Sequence, residues 1–123
     1  MDIISAFHVF FVAPLIIYVT FQLINKRKVP NMLFMILMYL GILAFLYHLY
    51  IVFTNYQYGT PLGVNLFHML IIAPLLYFIG ARKGKIAPIF IWALLLGAIY
   101  AFYKHITYLM MKLNFLFFII FPI

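Results

Sequence analysis

Four histidines, His8, His48, His68 and His105, are the side chains of this sequence best suited to chemistry. Imidazole offers a lone pair to a transition metal and titrates close to neutral pH, so a cluster of four could bind Zn²⁺, Cu²⁺ or a bis-histidine haem, or act as a proton relay or switch. The sequence has no cysteine, which excludes disulfides, thiolate catalysis and cysteine-ligated metal or iron–sulfur centres. Its single acid is Asp2. The carboxylates that usually orient metal-bound imidazoles are therefore missing, and the metal is left unknown. Ser5-x-x-His8 and Asn65-x-x-His68 support a plainer reading, in which Ser5 and Asn65 are helix N-caps and the histidines hydrogen-bond to water or a neighbouring helix. No cofactor is predicted on the plainer reading; haem, zinc or copper belongs to the alternative.

The elements that must carry these histidines follow from composition. Of 123 residues, 70% are hydrophobic, 21% aromatic and only 7% charged, with mean hydropathy +1.23. A soluble domain carries about a quarter of its residues charged. Lipid can solvate an apolar exterior of this kind, and water cannot. Four apolar stretches, about Phe7–Ile24, Met32–Phe53, Val64–Ala81 and Ile86–Tyr103, each approach the ~20 residues that a bilayer core requires. The runs do not alternate as strands do, so the expected fold is an all-α membrane protein of four transmembrane helices. The first stretch has no basic leader and no small-residue cleavage site, so it reads as a retained helix.

Charge sets the orientation. Lys26, Arg27 and Lys28 lie between the first two stretches, and Arg82, Lys83 and Lys85 between the last two. Six of the eight basic residues, in a chain of net charge +7, are thus concentrated in two short loops that must share one side, cytoplasmic by the positive-inside rule and within reach of lipid headgroups. Both termini and the loop near Tyr56 and Tyr58 fall on the other side, with Tyr47, Tyr50, Tyr103 and Tyr108 forming an aromatic belt. The bilayer is the expected partner, together with a second copy or other membrane proteins; nucleic acid is not.

The sequence also repeats. Phe7-His-Val-Phe-Phe-Val-Ala-Pro-Leu-Ile-Ile-Tyr18 aligns without gaps on Phe67-His-Met-Leu-Ile-Ile-Ala-Pro-Leu-Leu-Tyr-Phe78. Each is followed by a basic loop, a proline (Pro30, Pro88), a Leu-Gly pair (Leu40-Gly41, Leu96-Gly97) and a final histidine (His48, His105). The expected architecture is a tandem, parallel duplication of a two-helix hairpin: residues 1–60, residues 61–112, and an apolar tail, 113–123, lying at the interface or packed on the bundle. Pro14 and Pro74 are expected to kink the first and third spans, crowding the carbonyls of Phe10 and Leu70. Ala93, Gly97, Ala101 and His105 recur every four residues, a small-residue stripe suited to close helix approach; Gly41, Ala44 and His48 share a face of the second span.

These repeated units, Phe7-His…Ala13-Pro-Leu-Ile-Ile-Tyr18 with Leu40-Gly…Leu46-Tyr-His-Leu-Tyr50 and then Val64-Asn-Leu-Phe-His…Ala73-Pro-Leu-Leu-Tyr77, resemble small tetraspan membrane proteins encoded by large double-stranded DNA viruses of eukaryotes. The resemblance covers residues 7–106 and implies a viral membrane protein of the virion's internal membrane, with no catalytic role attached. Lys104 departs from the pattern, standing before His105 where Tyr47 stands before His48.

No nucleophile–base pair, phosphate-binding glycine loop or HExxH motif is present, and Tyr58-Gly-Thr-Pro lacks the pore helix of a selectivity filter. A carboxylate-coupled transporter lacks its carboxylate. The sequence therefore leads to a structural or interaction protein rather than an enzyme. The alternative is a proton channel or haem- or metal-binding protein built on the four histidines, with Tyr47 and Tyr103 as neighbouring hydrogen-bonders.

Overall fold

A computed structural model of the chain describes residues 3–56, 59 and 62–120. Asp2, Tyr58 and the last three residues of the tail, on which parts of the reading above fall, lie outside the described residues.

Among the described residues every regular element is helical. Four helices are long and apolar enough to cross a membrane, which fits a multi-pass membrane protein: α1 (Ile3–Ile24), α2 (Asn31–Tyr56), α3 (Gly63–Ala81) and α4 (Pro88–Ile120). Each apolar stretch seen in the sequence overlaps one of these helices, the first and third ending with them at Ile24 and Ala81 and the fourth starting two residues before its helix. The largest difference is at α4, which runs on through residues 113–120 as unbroken helix. These tail residues are exposed rather than packed on the bundle. Nothing between Ala98 and Ile120 is Gly or Pro, so the local sequence has no reason to stop the helix.

The two basic loops are built alike. The N–H of Arg27 donates to the Gln22 carbonyl and that of Gly84 to the Ile79 carbonyl, both at 2.9 Å, while Lys26 and Lys83 bond back to Leu23 and Gly80. This is the Schellman closure, which needs a left-handed residue just past the helix. Here that residue is a lysine in each loop, with φ 56° at Lys26 and 51° at Lys83.

α1 and α3 each change winding at the same place. His8–Val12 and His68–Ile72 form single π-helical turns, in which the N–H of Ala13 reaches the carbonyl of His8 and that of Ala73 the carbonyl of His68. Pro14 and Pro74 follow after one alanine, Ala13 and Ala73. A proline has no N–H to give and its ring collides with the carbonyl one α-turn earlier. The widened turn takes up that misfit, so the prolines act through π turns.

Sequence neighbours are not the main packing partners. α2 packs chiefly on α3, and α1 on α4. Two glycines let α2 and α3 approach backbone to backbone: a Cβ at Gly41 would sit 2.6 Å from the Tyr77 nitrogen, and one at Gly80 would collide with the Phe34 carbonyl. The stripe on α4 makes no such approach within the chain. Ala93 is exposed, and a Cβ at Gly97 would meet only the Ile72 Cδ1, at 4.0 Å. The buried face of α4 is carried by Ile91, Leu94, Leu95 and Ala98 instead.

The core draws two side chains from each helix: Ile16 and Val19, Phe34 and Leu37, Leu76 and Ile79, Leu94 and Ala98. Buried positions in α1 recur in α3 sixty residues on, at Ala13 and Ala73, Ile16 and Leu76, Val19 and Ile79, Thr20 and Gly80. In α2 and α4 they recur at a spacing of 57, at Phe34 and Ile91, Leu37 and Leu94, Gly41 and Ala98. The difference is one helical turn. The helical segment after the π turn has 12 residues in α1 and 9 in α3. The added turn lets Leu23 reach the second basic loop, where its Cδ2 occupies the space a Cβ on Gly84 would need.

Candidate functional site

All four histidines lie at the end of the bundle opposite the basic loops, in two stacked pairs. His8 of α1 lies on His105 of α4, ring centroids 4.6 Å apart and planes 21° from parallel. His48 of α2 lies on His68 of α3 at 4.6 Å and 24°. The pairing follows the helix packing, because each stack joins two helices that are main partners.

Hydrogen bonds hold the rings. His8 Nδ1 donates to the Ile4 carbonyl at 2.8 Å, and His68 Nδ1 to the Val64 carbonyl at 2.7 Å, each one turn back on its own helix. The other two histidines reach across. His48 Nδ1 donates to the Asn65 side-chain oxygen at 2.8 Å, and His105 Nδ1 pairs with the Ser5 hydroxyl at 3.1 Å. Ser5 and Asn65 are therefore not N-caps. Each lies inside its helix, which begins two residues earlier, at Ile3 and Gly63. Ser5 is 3% exposed and His48 9% exposed, so these polar groups face the helix interface. Buried polar groups there need partners, and among the described residues no buried side-chain nitrogen or oxygen lacks one.

The bonds fix the chemistry available. A carbonyl or amide oxygen can only accept, so His8, His48 and His68 carry their neutral-form proton on Nδ1 and present a lone pair at Nε2. Such a ring takes up a proton at Nε2. It cannot pass one on through Nδ1 to an amide oxygen without first turning over. For a metal the lone pairs are the right kind, and the Nδ1 partners supply the orientation that carboxylates give elsewhere. The stacking is less suited. Lone pairs lie in the ring planes, so two rings face to face cannot aim at one ion between them, and a shared ion would need a ring from each stack. Among the described residues no three His or Asp side chains are grouped as a ligand set.

No known protein family, curated protein or solved structure matches the chain.

Of the tyrosines set beside the histidines, Tyr47 packs edge-on against His48 at 5.2 Å, whereas Tyr103 points outward, 61% exposed. Lys104 lies over the Tyr100 ring at 5.8 Å, away from the histidines. His105 and His48 both reach across to a polar side chain, but His105 meets a hydroxyl where His48 meets an amide oxygen. Ser5, Asn65 and Gly80 are interhelical contacts beyond those expected from the sequence. For Ser5 and Asn65 the signal was available, since each stands three residues before a histidine in both halves.

Proposed function

We propose that this chain is an integral membrane protein with a structural or interaction role, built by tandem duplication of a helical hairpin. What supports this most is the use of its polar side chains: they join one helix to another. Helices in lipid gain little from apolar contact with each other and depend on close packing and interhelical hydrogen bonds. The His48–Asn65 and His105–Ser5 bonds serve this need at one end, and the Gly41 and Gly80 approach serves it in one pair nearer the basic loops. The outer surface, with residues such as Phe10, Phe53 and Leu43 largely exposed, suits lipid on every side. The matched π turns and histidine pairs, 60 residues apart in α1 and α3 and 57 apart in α2 and α4, favour duplication as their origin. Together with the viral resemblance, these features support reading the protein as a component of a virion's internal membrane that fills or shapes the bilayer. The basic loops would face the cytoplasmic side and both termini the other, and a second copy or a capsid protein would be its partner.

A second reading has one observation in its favour: the Nε2 lone pairs of His8, His48 and His68, on rings fixed by their Nδ1 bonds. They could take protons or a transition metal such as zinc or copper. Haem would require the stacked rings to part.

One comparison separates the readings. The tag-free protein and a variant with all four histidines replaced are purified without chelator, analysed for metal and assayed for proton flux in liposomes. The structural reading expects background metal and equal flux from both, with the variant inserted but less stable. Near-stoichiometric iron, copper or zinc lost in the variant, or flux lost with the histidines, would reverse the order.

A further inference from the structure

A groove runs between α3 and α4 from the basic-loop end to mid-helix, with a volume of about 640 Å³. We infer that it is a binding site for one anionic phospholipid, an acyl chain lying along Leu70, Pro74, Phe78, Phe90 and Ala93 and the phosphate held by Arg82. The inference rests on the membrane reading above and goes beyond it in naming one site and one ligand.

Length is the first argument. From Leu70 to Arg82 the wall rises about 18 Å at 1.5 Å per residue, close to the depth of one leaflet, about half of a ~30 Å hydrocarbon core. A chain whose headgroup sits at Arg82 therefore ends where the groove ends. The wall is apolar over that length, which a free inorganic anion could not use.

Charge is the second. Arg82 is the charged residue of the lining, and it stands at the mouth, with its guanidinium 5.9 Å from the Phe78 ring centroid. Guanidinium suits bidentate recognition of phosphate. The sequence's one acid, Asp2, is far along the chain, so no carboxylate in either loop competes for this arginine. α4 also begins at this mouth, at Pro88, and a helix start favours an anion.

The other half of the chain supplies the control. Where Arg82 is the C-cap residue of α3, Asn25 is that of α1, and its side-chain amide donates to the Phe21 carbonyl at 2.8 Å. The first basic loop has as many cations as the second but no arginine at the helix end. If loop charge alone attracted lipid, the loops would be alike; if the groove matters, they differ.

The test uses the full chain in mild detergent, with native mass spectrometry after adding phosphatidylglycerol, phosphatidylcholine or inorganic phosphate. One phosphatidylglycerol per chain should be retained, phosphatidylcholine much less, and inorganic phosphate should not displace it. Arg82→Gln should weaken retention about tenfold, the scale of a lost charge-assisted pair, and the groove-filling Ala93→Phe should weaken it as well. Arg27→Gln should leave it unchanged. Ala93 is exposed, so the larger side chain threatens the groove and not the core. Equal loss with Arg27→Gln, full retention in Ala93→Phe, or displacement by phosphate would each overturn the site. Carbonate extraction of the parent protein from membranes is run beside it. Release from the bilayer would sink the membrane reading itself, whereas firm retention without lipid selectivity would sink only the groove.

Discussion

His48 stacks on His68 while donating its Nδ1 proton to Asn65, three residues before His68 on the same helix. One side chain of α2 thus holds two of α3. The relationship recurs between His105 of α4 and the pair Ser5 and His8 of α1. The hydrogen bond fixes the height of the ring and the stack fixes its rotation, so each helix pair is locked in register at its histidine end.

That lock is measurable as a coupling energy. A double-mutant cycle on His48→Phe and Asn65→Leu should give a coupling of about 0.6 kcal/mol, the average for interhelical hydrogen bonds in a membrane bundle. The crossed cycle, His48→Phe with Ser5→Ala, should give a value near zero. Unfolding in mixed micelles provides the measurement, and equal couplings would count against the pairing.

The helix partners can be mapped by cross-linking, since the chain has no cysteine of its own. Ser5→Cys with His105→Cys should link readily, as should Asn65→Cys with His48→Cys. Ser5→Cys with His48→Cys should not, although these two sit on sequence-adjacent helices. A reversed result would mean that each hairpin packs on itself.

Pro14→Ala tests the π turn. With the ring gone and an N–H restored, the turn His8–Val12 can relax to an ordinary α-helix. Everything before it then rotates by about 100°, one residue's worth of helix. The Ser5–His105 cross-link should fall sharply in that background while the Asn65–His48 link is unaffected.

Glycine substitutions should separate the contacts within the chain from any between chains. Gly41→Leu and Gly80→Leu drive a side chain into a neighbouring backbone and should destabilise the monomer by more than the ~1–3 kcal/mol of ordinary overpacking. Gly97→Leu has room and should leave the monomer as stable as before. Loss of an oligomer in Gly97→Leu, with the monomer intact, would show that the small-residue stripe serves a second copy.

By itself the sequence determined the features that depend on short stretches of chain. Uninterrupted apolar runs, the two basic loops, the prolines and the repeated Phe-His…Ala-Pro segment are all local, because helix length, solvent preference and proline's missing N–H do not depend on what lies across the bundle. Those features were enough to place four helices and to put all four histidines at one end. Only the tertiary structure decided which histidine meets which. Matching by residue type set Gly41 beside Gly97, but the burial pattern sets it beside Ala98, since spacing along α2 and α4 is counted from the helix starts at Asn31 and Pro88. The roles of Ser5 and Asn65 changed for the same kind of reason. A polar residue three before a histidine has the spacing of a cap, and only the position of the helix start and the partner across the interface turn it into a bond between helices.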